Sequence, residues 1–146
     1  MRLAIAIAAL AGPAFADAEL AARYTAASEA MRAPLSAMFA GCAPGAPEMP
    51  ERLGDEATDA AQACLIETAI ERHGRPFAEA LVTEAEAFAA LPMSTLADMA
   101  NNAGEVTTDD RTLAIVQECG LVGASQDAPG ARYMMANMQA IMACMQ

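Results

Sequence analysis

Lysine and tryptophan are absent from this sequence of 146 residues, and histidine occurs only once, at His73. Nineteen Asp and Glu residues stand against eight arginines, which gives a formal net charge of −11 at pH 7. Because binding to nucleic-acid phosphates requires a basic surface, this balance argues against a nucleic-acid partner. A zinc site that depends on histidine is disfavoured as well, because such sites need several His or Cys ligands and the cysteines are expected to pair.

Familiar catalytic and cofactor motifs are also missing. The sequence contains no G-x-S-x-G, no P-loop and no dinucleotide-binding fingerprint. No two cysteines are spaced C-x-x-C, which argues against a thioredoxin-like redox site and against covalently attached haem. We therefore predict a protein that is not an enzyme, has no cofactor and acts by binding.

The N-terminus has the order of a secretory signal peptide. Arg2 is followed by an apolar run from Leu3 to Ala11 and by an A-x-A ending at Ala16. We predict a signal peptide over residues 1–16 and a single helical domain over residues 17–146, exported to the periplasm or secreted. The apolar run is shorter than the roughly 20 residues of a membrane span, and no other run is longer, so no anchor is expected after cleavage. Removal of Arg2 changes the formal charge from −11 to −12.

Four cysteines are present in this exported chain: Cys42, Cys64, Cys119 and Cys144. An even number in an oxidising compartment predicts two disulfides. Loop-closure entropy favours the sequential pairs Cys42–Cys64 and Cys119–Cys144, and the other two pairings stay open.

The composition predicts an all-α fold, a small bundle of five or six helices held by the two disulfides. Helix-forming Ala, Leu, Glu, Met and Arg dominate, and runs that alternate β-branched or aromatic residues with polar ones are absent. The first helix spans Leu20 to Cys42 and is expected to kink or split near Ala33, because Pro34 follows. Further helices are predicted from Asp55 to His73, from Pro76 towards Pro92, from a cap at Ser94 to Gly104, from a cap at Thr107 or Thr108 to Gly120, and from Tyr133 onwards. The segment from Leu121 to Arg132 is predicted to be a loop.

The last fourteen residues, YMMANMQAIMACMQ, contain five methionines, one cysteine and no formal charge. A helix that is apolar on all sides is typical of a bundle interior, so burial is the favoured interpretation. One alternative is a Cu(I) site formed by Met134, Met138 and Met142 at positions i, i+4 and i+8, because thioethers are soft ligands. The other is an exposed methionine surface that binds a partner helix or an acyl chain.

An acidic stretch precedes and begins the second helix. Its spacing does not match an EF-hand loop, so a solvated face that could meet a basic partner is expected rather than a calcium site. Its members are Glu48, Glu51, Asp55, Glu56 and Asp59.

These observations predict an exported, helical binding protein such as an inhibitor, an immunity-type protein or an accessory subunit, whose acidic surface meets a basic protein partner. The alternative prediction is a small-ligand or Cu(I) carrier that uses the Met-rich C-terminal helix.

Overall fold

The computed structural model of the protein describes residues 13–145, and all regular structure in this range is helical. The described helices are α1 (Pro13–Ala30), α2 (Arg32–Cys42), α3 (Glu56–His73), α4 (Arg75–Ala89), α5 (Leu96–Asn101), α6 (Asp110–Glu118), α7 (Leu121–Gln126), α8 (Pro129–Ala136) and α9 (Met138–Ile141), followed by a 3-10 helix at Met142–Met145. The predicted all-α class is therefore confirmed. Residues 1–12 of the predicted signal peptide lie outside the described residues.

Pro34 explains why the first predicted helix is two helices. Proline has no N–H to donate to the Ala30 carbonyl, and its ring would clash with that carbonyl in a continuous helix. The chain breaks at Met31, and Pro34 lies in the first turn of α2, where its missing N–H is not needed. The predicted split is confirmed, slightly before the predicted position.

Local signals define α3 and the start of α4 as the sequence predicts. The Asp55 side chain accepts a hydrogen bond from the Thr58 backbone N–H at 3.0 Å. At the other end, Gly74 has φ of 85°, a conformation that side chains disfavour, and its N–H donates to the Ile70 carbonyl at 2.9 Å. Pro76 lies in the first turn of α4.

The later helices differ in detail from the prediction. Thr95 rather than Ser94 caps α5, and Asp109 rather than Thr107 or Thr108 caps α6. The predicted loop contains α7, which follows a left-handed Gly120.

A first core cluster joins α1, α3 and α4, and Ile115 of α6 completes it. Its fully enclosed side chains include Leu65, Ile66 and Leu81. A second cluster joins α2, the loop that follows it and residues 133–145, which we call the C-terminal segment. Its buried members are Leu35, Met38, Phe39, Ala43, Met49, Tyr133, Ile141 and Cys144.

The disulfides connect these elements in a pairing that differs from the favoured prediction. Cys42 of α2 pairs with Cys144 of the 3-10 helix, and Cys64 of α3 pairs with Cys119 at the end of α6. The predicted Cys42–Cys64 and Cys119–Cys144 pairs are therefore wrong. The entropic preference for short loops is weak, about 0.6 kcal/mol for each doubling of length, and the packing of α2 against the C-terminal segment outweighs it.

Two disulfides indicate an oxidising environment. Loops of 102 and 55 residues correspond to a stabilisation of about 4–5 kcal/mol each on the chain-entropy account. Among residues 13–145, no helix combines the length and the apolar character needed to cross a membrane.

Candidate functional site

The C-terminal segment exposes most of its methionines. Met135, Met138, Met142 and Met145 are 69%, 51%, 59% and 58% exposed. Met134 alone of the five packs partly against the second core cluster. The favoured interpretation of this segment as a bundle interior is therefore wrong.

The segment is not one continuous helix, because it is interrupted at Asn137. This residue ends α8 with φ of −112° and ψ of 16°, and its side-chain amide donates to the Tyr133 carbonyl at 2.9 Å. Three side chains then anchor the segment to the second cluster, namely Tyr133, Ile141 and Cys144, each at most 9% exposed. The Tyr133 hydroxyl also donates to the Pro47 carbonyl at 2.7 Å.

The opposite side of the segment is an uncharged surface. We call the four exposed residues Met135, Met138, Met142 and Met145 the methionine surface. Ala136, Gln139 and Ala143 are exposed between them, and none of these side chains bears a charge. Unbranched, polarizable methionine side chains adapt their shape to a partner, and clusters of exposed apolar side chains commonly mark binding sites.

The helix break separates the three predicted copper ligands. Met134 belongs to α8 and is half-buried, whereas Met138 begins α9 and Met142 begins the 3-10 helix, both exposed. The i, i+4, i+8 alignment on one helix, on which the Cu(I) hypothesis depends, is not present. Within residues 13–145, no three His, Cys, Asp or Glu side chains form a cluster suited to a metal ion.

Part of the acidic stretch has a structural role. Asp55 caps α3, and hydrogen bonds from the Thr58 backbone N–H and hydroxyl lower the pKa of its carboxyl. Asp59 accepts two hydrogen bonds from Arg52, both at 2.9 Å. Three other members of the stretch stay exposed, namely Glu48, Glu51 and Glu56. The Glu48 Oε1 atom lies 3.9 Å from the guanidinium of Arg32. These three are the members of the stretch best placed to meet a basic partner.

The pKa of the Glu84 carboxyl is shifted, and contacts within the fold explain the shift. Burial by itself raises its pKa, but hydrogen bonds from the backbone N–H groups of Val106 and Thr107 outweigh burial and lower the pKa overall. The carboxylate thus holds the turn before α6, and its shifted pKa is explained without a catalytic role.

A pocket of about 350 Å³ lies where the first half of α3 meets the second core cluster. We call it the Gln62 pocket. Its apolar lining comes from α2, the loop before α3, α5 and α8, through the side chains of Leu35, Met49, Leu53, Leu96, Met99 and Met134. Small-molecule sites in proteins have volumes of roughly 300–1,000 Å³ and a mostly apolar lining, so this pocket has the size of a ligand site.

Gln62 itself is 7% exposed, and its Oε1 has no hydrogen-bond partner in the described part of the chain. An unpartnered buried amide oxygen costs about 1–3 kcal/mol. The sequence did not indicate this site, because Gln62 is one polar residue on an amphipathic helix and the pocket walls come from distant segments.

No protein-family model, no curated protein and no solved structure matches this chain. Functional conclusions therefore depend on the chemistry of the methionine surface and of the Gln62 pocket.

Proposed function

We propose that this chain is an exported, non-catalytic binding protein of the inhibitor, immunity-protein or accessory-subunit kind, which contacts a positively charged protein partner through the methionine surface. The observation that supports the proposal is the exposure of four methionines on a segment whose other side is anchored in the core and by the Cys42–Cys144 disulfide. A rigidly anchored apolar surface gives a partner contact area without an ordering cost at the time of binding.

The charge of the chain indicates the kind of partner. A formal net charge of −11 opposes association of two copies of the chain, because like charges repel. The same charge attracts a basic protein and accelerates the encounter at low salt. The Tyr133 hydroxyl donates to the carbonyl of Pro47, and the next residue in that loop is the exposed Glu48. One acidic side chain is therefore close to the anchored end of the segment. The two arguments together favour apolar contact at the methionine surface with electrostatic attraction around it.

The proposal is tested with a partner captured on the oxidised protein at low ionic strength from the envelope extract of its own organism. We expect the Kd to rise steeply between about 50 and 500 mM salt, because exposed charges are screened over about 10 Å at 0.1 M. We expect Met138→Gln with Met142→Gln to weaken binding at least about tenfold, since central apolar contacts supply most of the energy of an interface.

The matched control is Leu113→Gln with Val122→Gln, two residues with similar exposure, 48% and 54%, outside the C-terminal segment. This variant is expected to bind like the wild type, and unchanged urea midpoints would show that both variants are folded. The proposal would be contradicted if both variants lost affinity equally or if the affinity did not depend on salt. It would also be contradicted by a wild-type dimer in sedimentation, or by an extract in which no protein prefers the wild type to the methionine variant.

A further inference from the structure

The Gln62 pocket combines an apolar wall with one buried acceptor that nothing in the described chain satisfies. Three leucines and three methionines supply the wall, namely Leu35, Leu53, Leu96, Met49, Met99 and Met134. Buried polar groups in folded proteins nearly always have a partner. An enclosed amide oxygen without one, on a residue that lines a pocket of ligand size, is therefore an indication that a ligand supplies the donor.

Three other polar side chains of the pocket are already engaged within the chain. The two carboxylate oxygens of Glu29 accept the backbone N–H groups of Leu53 and Gly54, both at 2.8 Å. The Ser28 hydroxyl donates to the Tyr24 carbonyl at 3.1 Å, and the Thr58 hydroxyl to the Asp55 carboxylate at 3.0 Å. Ser125 also lines the pocket but is only partly buried, so Gln62 is the buried polar group left for a ligand to address.

The charges around the pocket exclude an anionic ligand. Among the described residues of the pocket wall, Glu29 is the one charged side chain, and the Arg52 guanidinium that lies 3.7 Å from its Oε1 is outside the wall. A carboxylate or phosphate ligand would meet this negative charge without a cation to pair with it, which is costly in an apolar site. Both oxygens of Glu29 accept backbone donors, and the Arg52 guanidinium lies 3.7 Å from Oε1, so this carboxylate already has a cationic partner within the chain.

The methionines favour an aromatic ligand. Thioether sulfur makes favourable contacts with aromatic rings, and the unbranched side chain adjusts to their outline. Among the described side chains, no aromatic residue contributes to the wall of the pocket. The ring that these sulfur atoms would contact is therefore available only from a ligand.

We propose that the Gln62 pocket binds a small, uncharged aromatic molecule that donates one hydrogen bond to Gln62 Oε1. This site is separate from the methionine surface, and the proposal does not depend on the proposed protein partner. The two sites are adjacent in the chain, because Met134 lines the pocket and the next residue, Met135, belongs to the methionine surface.

The experiment compares two probes of the same ring system, 2-naphthol and 2-methoxynaphthalene, of which only the first has a hydroxyl donor. Titrations use the exported, oxidised protein. We expect the wild type to bind 2-naphthol at least about tenfold more tightly, since a buried acceptor left unpaired penalises the methyl ether. In Gln62→Met this ratio is expected to fall to about one, because the acceptor is replaced by an apolar group of similar length. Gln117→Met, the same substitution at an exposed position of α6, is the matched control and should keep the wild-type ratio.

Methionine methyl resonances locate the probe. With methyl-labelled methionine, 2-naphthol is expected to shift the signals of Met49, Met99 and Met134, and to leave Met142 and Met145 unchanged. The proposal would be overturned if 2-naphthol did not bind or if the wild type bound both probes equally well. Resonance shifts confined to the exposed methionines would overturn it as well. If Gln62→Met does not fold, the wild-type affinity ratio and the methyl shifts still decide it.

Discussion

Gly130 allows the first turn of α8 to lie directly against the loop before α3. Its N–H donates to the Leu53 carbonyl at 2.8 Å. A Cβ at this position would lie 3.0 Å from the same carbonyl oxygen and 3.2 Å from the Leu53 Cδ2 atom. Both residues line the Gln62 pocket, so the close approach of their backbones fixes the distance between two of its walls.

We predict that Gly130→Ala lowers the free energy of unfolding by about 1–3 kcal/mol, because the added methyl group overpacks this contact. The control is Gly123→Ala in α7, where a Cβ would meet nothing within 4 Å. That substitution is expected to raise stability by up to about 1 kcal/mol, since alanine is the better helix former. Urea unfolding of both variants measures the difference. A Gly130→Ala protein as stable as the Gly123→Ala protein would show that the backbone contact is not tight.

At the scale of single residues, the sequence predicts what depends on near neighbours. The helix from Asp55 to His73 was predicted because its periodicity and the glycine that follows it act on adjacent residues. The roles of Gly130 and Gln62 depend on the loop at Leu53 and on the pocket walls. These partners are far away in the chain, so no local pattern signals them.

The short helix α5 depends on a capping box. The Thr95 hydroxyl accepts the Asp98 backbone N–H at 3.3 Å, and the Asp98 carboxylate accepts the Thr95 N–H at 2.9 Å. Six residues are too few for a helix to be stable on its own, so its end groups need these bonds. Through Leu96 and Met99, α5 forms one wall of the Gln62 pocket.

We predict that Thr95→Ala destabilises the protein by about 1 kcal/mol, while Ser94→Ala has almost no effect. The reason is that the Ser94 side chain takes no part in the cap, although its backbone N–H donates to Asp98 at 2.8 Å. Differential scanning calorimetry of the two variants separates the observed cap from the one expected from the sequence. A larger effect of Ser94→Ala than of Thr95→Ala would contradict the capping box.

At the scale of elements, the longer helices were predictable, whereas the short helix α7 and the buried side of the last segment were not. Periodicity identifies a buried face by its contrast with polar residues. Residues 133–146 offer almost no such contrast, so methionines that lie at the surface look the same as Ile141, which is buried. The turn at Asn137 then changes the helical register, which the spacing of Met134, Met138 and Met142 does not reveal.

Acidic side chains at helix N-termini link the stability of the whole molecule to pH. The pKa of Asp55 is lowered by the Thr58 backbone N–H, that of Asp98 by the Ser94 backbone N–H, and that of Asp109 from 3.8 to about 2, chiefly by the Arg111 side chain. Each carboxylate is therefore easier to ionise in the folded chain than in the unfolded chain. Its contribution to stability is present above about pH 4 and is lost as the pH falls through the folded pKa.

We predict a urea midpoint that changes little from pH 7 to 5, where protonation only begins to relieve the excess negative charge, and that falls steeply from about pH 4 to pH 2. Asp109→Asn should show a shallower fall in the acid range, because the carboxyl with the lowest pKa no longer titrates. Midpoints measured across this range test both statements. A midpoint that stays constant or rises below pH 4 would contradict them.

The long-range features of the molecule show the limit of sequence interpretation. The presence of two disulfides follows from four cysteines in an oxidising environment, but their pairing follows from helix packing. Cys42 is nearer to Cys64 in the chain, yet α2 packs against the C-terminal segment and brings Cys144 to it. Loop entropy is too small a term to predict that outcome.

The bridge between Cys42 and Cys144 closes most of the chain into one covalent loop. A protease that hydrolyses a single peptide bond between these residues, for example between the exposed Asn102 and Ala103, opens the loop without releasing a fragment. Both new ends stay attached through sulfur, and the Cys64–Cys119 bridge holds them a second time when the cut falls between its own residues. In a compartment that contains proteases, the methionine surface thus stays joined to the bundle after a first cut.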